Sequence, residues 1–294
     1  MKLAVLGSGS RGNAVAIRTE GVTLLVDAGF GPRALARRAA EAGVVLDPLT
    51  AIVLTHEHGD HARGAVALAV RTGCLLLGTA GTLRAMATGA ADVEVLPPIG
   101  EALRVGPFIV EVARTAHDAD EPVAVTVADR RGRRIGIAWD LGRPTAALRH
   151  LLRGVHALVL EANHDEVMLQ TGPYPASVRQ RIGGSTGHLS NRLAAELAAD
   201  ICTPTLEAVI LAHLSAQCND GAVARRTVGR ALRARGFRGR LLLARQQEPL
   251  PAFSLREADQ LRLALPEAPR PGPAADLPRS SLPPTPVPIP GSSG

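Results

Sequence analysis

The chain has 294 residues, of which 46% are hydrophobic and only 2% aromatic, and its formal net charge is +6. A chain of this length can bury a full hydrophobic core, which must be built here mainly from Ala, Val, Leu and Ile side chains. No stretch reaches the ~18 uninterrupted apolar residues that a membrane-spanning helix requires, and the apolar N-terminal run is too short for a signal peptide. The composition therefore excludes a spanning helix and predicts a globular protein.

The first half of the chain alternates short apolar runs with turn residues and helical stretches. Its predicted elements, in chain order, are strands at 2–6, 14–18 and 22–27, a helix at 33–42, a strand at 51–55, a helix at 60–72, a strand at 74–77 and a helix at 80–88. We expect the first three strands to form a β-meander. Pro32 suits the first turn of the helix that follows it.

The second half has strands at its start and more helices towards its end. Its predicted strands are 93–96, 102–105, 107–113, 123–129, 133–138, 156–161, 207–212 and 240–244. Its predicted helices are 145–152, 175–182, 189–200 and 220–235. These patterns predict an α/β fold, in which the first five of these strands form a second sheet region and the last strand ends the core.

The C-terminal part of the chain differs in composition. From residue 266 onward it is dense in Pro and lacks apolar periodicity. Such a segment is typical of a disordered or polyproline II tail, and docking of residues 283–290 on an aromatic groove is the alternative. We therefore predict one globular domain over 1–255 and a disordered tail over 256–294.

The most informative segment is Thr-His-Glu-His-Gly-Asp-His at residues 55–61, directly after an apolar run. Its candidate ligands are the imidazoles of His56, His58 and His61 and the carboxylate of Asp60. Neutral imidazole suits Zn²⁺, and a carboxylate among histidines allows a second ion beside the first. A solvated, histidine-rich turn is the alternative, but it would not require four ligands at this spacing after a buried strand. We interpret the segment as a metal site.

This pattern resembles the metallo-β-lactamase superfamily, in which the first two histidines bind one metal and the Asp-His pair binds the other. The resemblance implies a four-layer αβ/βα sandwich with two metal ions at one edge between the sheets. It assigns further residues that each follow an apolar run: Asp27, His117, Asp140 and His213. The implied ligands are His56, His58 and His117 for one ion and Asp60, His61 and His213 for the other, with Asp140 bridging. Asp27 would accept a hydrogen bond that orients a ligand.

Other motifs resemble a narrower branch, the WalJ/YycJ-type family of bacterial nucleases, which is related to ribonuclease Z. The motifs are at 6–13, 160–165, 187–191 and 212–215, and Gly-His-Leu-Ser-Asn at 187–191 is the most specific of them. The resemblance extends over about residues 1–255. It implies a phosphodiesterase that acts on DNA, in which a hydroxide held between two ions attacks phosphorus. Zn²⁺ is the predicted metal, with Mn²⁺ as the alternative.

Two side chains are predicted to act in catalysis as well as in binding. Asp60 would steer the nucleophile besides binding metal. His188 matches the histidine that donates a proton in ribonuclease Z, and Glu161 or Asp165 would orient it. The alternative for His188 is a structural hydrogen bond at a helix start.

The Gly-rich turn near the start of the chain contains three further polar side chains of interest. Ser8, Ser10 and Asn13 could hydrogen-bond a phosphate, and turn formation explains them equally well.

The cationic residues favour a polyanionic partner. All of the 33 Lys and Arg residues except Lys2 are Arg, whose planar fork binds phosphate. The densest group is Arg225, Arg226, Arg230, Arg233, Arg235, Arg238 and Arg240. We predict nucleic acid, most simply DNA, as the partner, while a codon bias towards Arg is the alternative explanation.

Two other functions use the same residues. A glyoxalase-type hydrolase of thioesters or lactones would have the same ligands, and a metal-stabilised, non-catalytic scaffold would need no substrate at all.

Three widely spaced cysteines indicate free thiols in a reducing cytoplasm. The sequence is compatible with a homo-oligomer.

Overall fold

The computed structural model describes residues 1–98 and 100–256. The predicted tail lies outside the described residues, apart from its first residue. The strands in this part of the chain are β1 (Lys2–Gly7), β2 (Ala14–Thr19), β3 (Val22–Val26), β4 (Leu49–Val53), β5 (Leu75–Gly78), β6 (Val93–Val95), β7 (Ala102–Val105), β8 (Phe108–Arg114), β9 (Val123–Asp129), β10 (Arg134–Ala138), β11 (Ala157–Glu161), β12 (Ala208–Ala212), β13 (Arg240–Leu243) and β14 (Leu250–Ser254).

The strands form two seven-stranded sheets with the same internal plan. The first sheet has the order β14-β1-β2-β3-β4-β5-β6, and the second has the order β13-β12-β11-β10-β9-β8-β7. In each sheet four neighbouring strands pair antiparallel, and the remaining pairs are parallel. Parallel strands place their carboxyl ends at one edge, which is where side chains from successive strands can meet.

Helices connect the strands. They are α1 (Pro32–Ala42), α2 (Gly59–Ala62), α3 (Ala65–Thr72), α4 (Ala80–Ala85), α5 (Ala146–Leu152), α6 (Glu166–Thr171), α7 (Ala176–Ile182), α8 (Asn191–Ile201) and α9 (Gly221–Ala234). None of the helices in the described part of the chain is both long and apolar enough to cross a membrane.

Alternating side chains of the central strands enter different cores. In β1, Leu3 and Val5 belong to the core between the sheets, whereas Ala4 and Leu6 face a core shared with α1 and α3. The second sheet packs its other face against α5, α8 and α9. Both faces of each sheet are therefore buried, as expected for parallel strands with crossover helices, and the result is the predicted four-layer αβ/βα sandwich.

The structure corrects four details of the predicted elements. Strand β6 belongs to the first sheet, and the predicted helix at 60–72 is broken at Gly64, where an added Cβ would lie only 1.9 Å from Phe30 O. Helix α6 and strand β14 are additional, so the strand at 240–244 does not end the core. Pro251 obscured β14, but an edge strand tolerates a residue without an amide hydrogen.

Candidate metal centre

Three of the predicted site residues lie at sharp turns that end strands. Asp27 follows β3, Asp140 lies two residues after β10, and His213 follows β12. Their φ angles are 60°, 51° and 52°. Non-glycine residues rarely adopt positive φ, and such conformations cluster at functional sites. The chain thus turns abruptly where these three side chains are needed.

His56, His58 and His117 form one ligand group. The first two follow β4, and His117 follows β8 of the other sheet. Their ring centroids lie 4.6 Å (His56–His58), 5.1 Å (His56–His117) and 5.2 Å (His58–His117) apart. One nitrogen of each ring lies within 4.8 Å of the other two. Three nitrogen donors at these separations can hold one divalent ion.

Asp60, His61 and His213 form a second group. Asp60 and His61 lie on α2, a single helical turn, and His213 comes from the edge of the second sheet. Asp60 Oδ2 lies 3.5 Å from His61 Nε2 and 3.6 Å from His213 Nε2. The structure therefore brings together both predicted triads, each with donors from both halves of the chain.

Asp140 lies between the two groups. Its Oδ2 is 2.6 Å from His61 Nε2 and 3.6 Å from His56 Nε2. Within the described residues, neither Asp140 carboxylate oxygen has a partner with hydrogen-bond geometry. Potential metal-ligand atoms that lie this close without hydrogen bonding to one another are typical of a site that binds a cation. The position suits a carboxylate that bridges two ions.

Buried carboxylates orient two of the histidine rings. His61 Nδ1 lies 2.6 Å from Asp27 Oδ2, and His213 Nδ1 lies 3.0 Å from Glu161 Oε1. Asp27 Oδ2 also accepts a hydrogen bond from Trp139 Nε1 at 2.9 Å. Because Nδ1 is occupied in both rings, Nε2 is the nitrogen that each presents to the cluster.

Neutral groups orient two more rings in the same way. Thr55 Oγ1 lies 3.1 Å from His56 Nδ1, and the carbonyl oxygen of Gly187 lies 3.2 Å from His117 Nδ1. The Nε2 atoms of His56 and His213 are buried and have no hydrogen-bond partner among the described residues. Unpartnered buried polar atoms are costly, and a cation at the cluster would satisfy them. Imidazole nitrogens and carboxylate oxygens suit Zn²⁺ or Mn²⁺, so the residues present fit the implied ions.

Burial and charge set the protonation states that ligands need. Burial lowers the pKa of His56 and of His117, which favours the neutral imidazole that binds metal. Burial alone would raise the pKa of Asp140, but the neighbouring His213 and His61 hold it well below its usual range. Asp140 is therefore an anion at neutral pH.

His188 lies beside the ligand groups, with its ring centroid 5.4 Å from that of His117 and 5.2 Å from that of His213. Its Nδ1 is 2.8 Å from Glu161 Oε1 and 3.1 Å from Asp140 Oδ1. Burial lowers its pKa, but the charges of these two carboxylates and a hydrogen bond with Glu161 raise the pKa of His188 to about 10. The ring is protonated at neutral pH, and its side chain is 23% exposed.

Of the two acids predicted to orient His188, the structure selects Glu161. Asp165 instead caps α6, where its side chain accepts hydrogen bonds from the backbone amides of Val167 and Met168. Sequence reasoning missed that Glu161 also holds His213. The available signal was position: Glu161 ends β11, directly beside the end of β12, from which His213 follows.

Ser8 and Asn13 support the ligand segments from inside the protein. Ser8 Oγ accepts a hydrogen bond from the backbone amide of His213 at 2.8 Å. Asn13 Nδ2 lies 3.3 Å from Asp60 Oδ2 and 3.0 Å from His61 Nε2. Both side chains are buried, so their observed role is structural.

Comparisons with known proteins agree with this geometry. A model of the metallo-β-lactamase superfamily matches residues 7–135. Exodeoxyribonuclease YycJ of Bacillus anthracis is 32% identical over 241 residues, which cover 81% of this chain and 91% of the relative. The chain belongs to the metallo-β-lactamase superfamily. Within it, the chain is a member of the WalJ/YycJ-type family, which confirms the predicted relationship.

Two further similarities support the family and the fold. Exodeoxyribonuclease WalJ of Streptococcus pneumoniae serotype 2 is 30% identical over 224 residues, covering 74% of this chain and 83% of the relative. The short form of human tRNase Z superposes with a TM-score of 0.59 at 19% identity, over 87% of this chain and 100% of that chain. The predicted metallo-β-lactamase fold is thereby confirmed, and the protein is a metal-dependent hydrolase.

Proposed function

We propose that this hydrolase is a nuclease that cleaves DNA phosphodiesters with two divalent metal ions. The observation that carries the proposal is the position of Asp140, whose Oδ2 lies within 3.6 Å of a histidine nitrogen from each ligand group. The proposed ligands are the seven predicted ones: His56, His58, Asp60, His61, His117, Asp140 and His213. Zn²⁺ is the metal that we propose, with Mn²⁺ as the alternative.

The balance of charge supports two ions. The carboxylates of Asp27, Asp60, Asp140 and Glu161 converge on the cluster, and all except that of Asp60 are almost fully buried. When ionised they contribute four negative charges, against one positive charge on the protonated His188, so a single divalent cation would leave the cluster negative. Buried anions persist only when a compensating positive charge lies beside them.

The ions would supply a nucleophile at neutral pH and neutralise charge on a phosphoryl group. Asp60 would orient the nucleophile besides binding metal. Burial raises its pKa, but the neighbouring His213 and His61 hold the pKa of Asp60 well below its usual range. Asp60 is therefore an anion at neutral pH and does not donate a proton.

His188 is the proposed general acid. Glu161 occupies its Nδ1, so Nε2 is the nitrogen that would give a proton to the leaving 3′ or 5′ oxygen. The raised pKa of His188, to about 10, keeps that proton in place before cleavage. Afterwards the neutral ring regains a proton from solvent, to which the side chain is partly exposed.

DNA is the proposed substrate because both curated relatives described above are named exodeoxyribonucleases. Those names favour cleavage from strand ends.

The cysteines within the described residues, Cys74, Cys202 and Cys218, are free thiols, which supports our proposal of a reducing, cytoplasmic location.

The deciding experiment offers the purified protein, loaded with Zn²⁺ or Mn²⁺, end-labelled linear DNA, covalently closed circular DNA, RNA of the same sequence, and a thioester. We expect metal-dependent degradation of linear DNA, no cleavage of circular DNA, and no thioesterase activity. The Asp60→Ala variant is the control for contaminating nucleases. Thioester hydrolysis without DNA cleavage would instead establish the glyoxalase-type alternative.

A further inference from the structure

All the charged residues on the outward face of helix α9 are cationic. Its 14 residues, Gly221–Ala234, include no acidic side chain, and its four arginines are all exposed: Arg225, Arg226, Arg230 and Arg233. The opposite face is apolar and packs on the second sheet through the buried residues Ala224, Val228 and Leu232. Besides the four arginines, the exposed residues of the helix are Ala222 and Ala234, which offer little apolar surface to a hydrophobic partner or a membrane.

Three of these arginines form a continuous stripe. Arg226, Arg230 and Arg233 are spaced i, i+4 and i+7, so they lie on one side of the helix over about 10 Å. Like charges at i, i+4 destabilise an isolated helix. Helix α8 shows the usual arrangement, because there Arg192 pairs with Glu196 at 2.7 Å in the same i, i+4 spacing.

The stripe arginines have no side-chain partner in the part of the chain that the structure describes. Within residues 1–98 and 100–256, no side-chain hydrogen bond or ion pair involves Arg226, Arg230 or Arg233. Two later arginines of the same cationic segment do have partners: Arg235 lies 3.9 Å from Asp200, and the guanidinium of Arg240 stacks over the ring of Phe253 at 4.1 Å. Within the described residues, the exposed Arg225 and Arg238 of the same group also lack such partners, so unpaired cationic charge extends along and beyond the stripe.

The helix begins close to the metal centre. Its first residue is eight positions after His213. The preceding Asn219 donates hydrogen bonds to the carbonyl oxygens of Ala162 and Asn163, and the Asn163 side chain in turn contacts the His213 carbonyl oxygen at 2.9 Å. From this edge the helix extends for about 21 Å along the second sheet.

We propose that the stripe of Arg226, Arg230 and Arg233 binds the sugar-phosphate backbone of the DNA substrate beside the bond that is cleaved. This inference rests on the proposed nuclease function and adds to it the surface that holds the polymer. Three charges spread along a helix do not converge on one point, so they suit a chain of repeated phosphates better than a single phosphate ion. Arg is also the side chain that best matches phosphate geometry.

The test compares two triple variants with the same loss of charge. The first is Arg226→Ala/Arg230→Ala/Arg233→Ala. The control is Arg33→Ala/Arg37→Ala/Arg71→Ala, which removes three exposed arginines from α1 and α3, outside the first sheet. Ala is the best helix former, so neither variant should unfold, and circular dichroism with metal analysis checks this. Binding is measured by fluorescence anisotropy with a labelled phosphorothioate oligonucleotide at several salt concentrations.

For single-stranded DNA we expect the stripe variant to lose about 2 from the slope of log affinity against log salt, since each phosphate contact contributes about 0.7. Its affinity at ~0.1 M salt should fall roughly 10- to 100-fold, with little change in the control. The proposal is overturned if the stripe variant keeps the wild-type slope and affinity while the wild type cleaves DNA; an acidic protein would then be the better partner for α9. If the wild type neither binds nor cleaves DNA, the proposed function fails and the inference fails with it.

Discussion

The two halves of the molecule contribute to the metal centre in different ways. In the first half, four proposed ligands come from the six residues 56–61, which form one turn and one short helix after β4. In the second half, three proposed ligands come from three separate strand ends. The first contribution depends on local backbone conformation, whereas the second depends on correct pairing of distant strands.

Strand register explains how the proposed ligands of the second half, which come from separate strand ends, are brought together. In the second sheet Ala138 is paired with Leu160, and Glu161 with Ala212, in parallel register. These pairings bring the segments that follow β10, β11 and β12 to the same edge. A register shift of one residue would turn each side chain to the opposite face of the sheet, so the ligands from this half exist only in the correctly paired sheet.

The largest expected effect is at Asp140, where the two halves meet. Asp140→Asn removes the negative charge that contacts both ligand groups, so we expect weaker binding of both ions. The rate of DNA cleavage should fall about 10³-fold or more, because metal catalysis supplies several kcal/mol. Metal content by mass spectrometry and the cleavage rate test this prediction.

Asp118→Asn is the matched control for this variant. Asp118 is adjacent to His117 in the chain, but its side chain is 62% exposed and pairs only with Arg181 within the described residues. We expect wild-type metal content and rate from it. An Asp140→Asn protein that still holds two ions and cleaves at the wild-type rate would contradict the bridging role.

The next effect concerns His188, which is proposed to act in the chemical step without binding metal. His188→Ala should slow DNA cleavage by about 10²–10⁴-fold, the usual contribution of a general acid, while leaving metal content unchanged. Hydrolysis of bis-p-nitrophenyl phosphate should suffer much less, because p-nitrophenolate leaves without a proton. His150→Ala, at an exposed position of α5, is the control. Equal losses on both substrates would argue for a structural role of His188.

The smallest expected effect distinguishes the two carboxylates that orient histidine rings, those of Asp27 and Glu161. Asp27→Asn and Glu161→Gln should each weaken metal binding by about 10–100-fold, as measured by titration with a Zn²⁺ indicator. Only Glu161→Gln should also change the pH profile. Because Glu161 raises the pKa of His188, its loss lowers that pKa, and activity should then decline at a lower pH on the basic side. Identical pH profiles of the two variants would show that Glu161 does not act through His188.

The proposed ligands of the first half could all be predicted from the sequence alone. The spacing of residues 55–61 alone predicted a metal site, because the four proposed ligands of this half lie within two turns of backbone after one buried strand. The ligands of the second half could be assigned only through resemblance to the superfamily. Nothing local distinguishes His213 or Asp140 from a structural residue at a strand end.

By itself, the sequence predicted the order of most strands and helices from apolar periodicity, and it predicted the fold family and the chemical type of the centre through motifs that resemble those of the superfamily. Only the tertiary structure decided which acid orients which ring, that Glu161 rather than Asp165 contacts His188, and that β14 closes the first sheet. Such contacts depend on pairing between strands that are far apart in the chain, and no short-range pattern records that pairing. The arginines of α9 illustrate both: their spacing was visible in the sequence, but their lack of side-chain partners within the described residues was not.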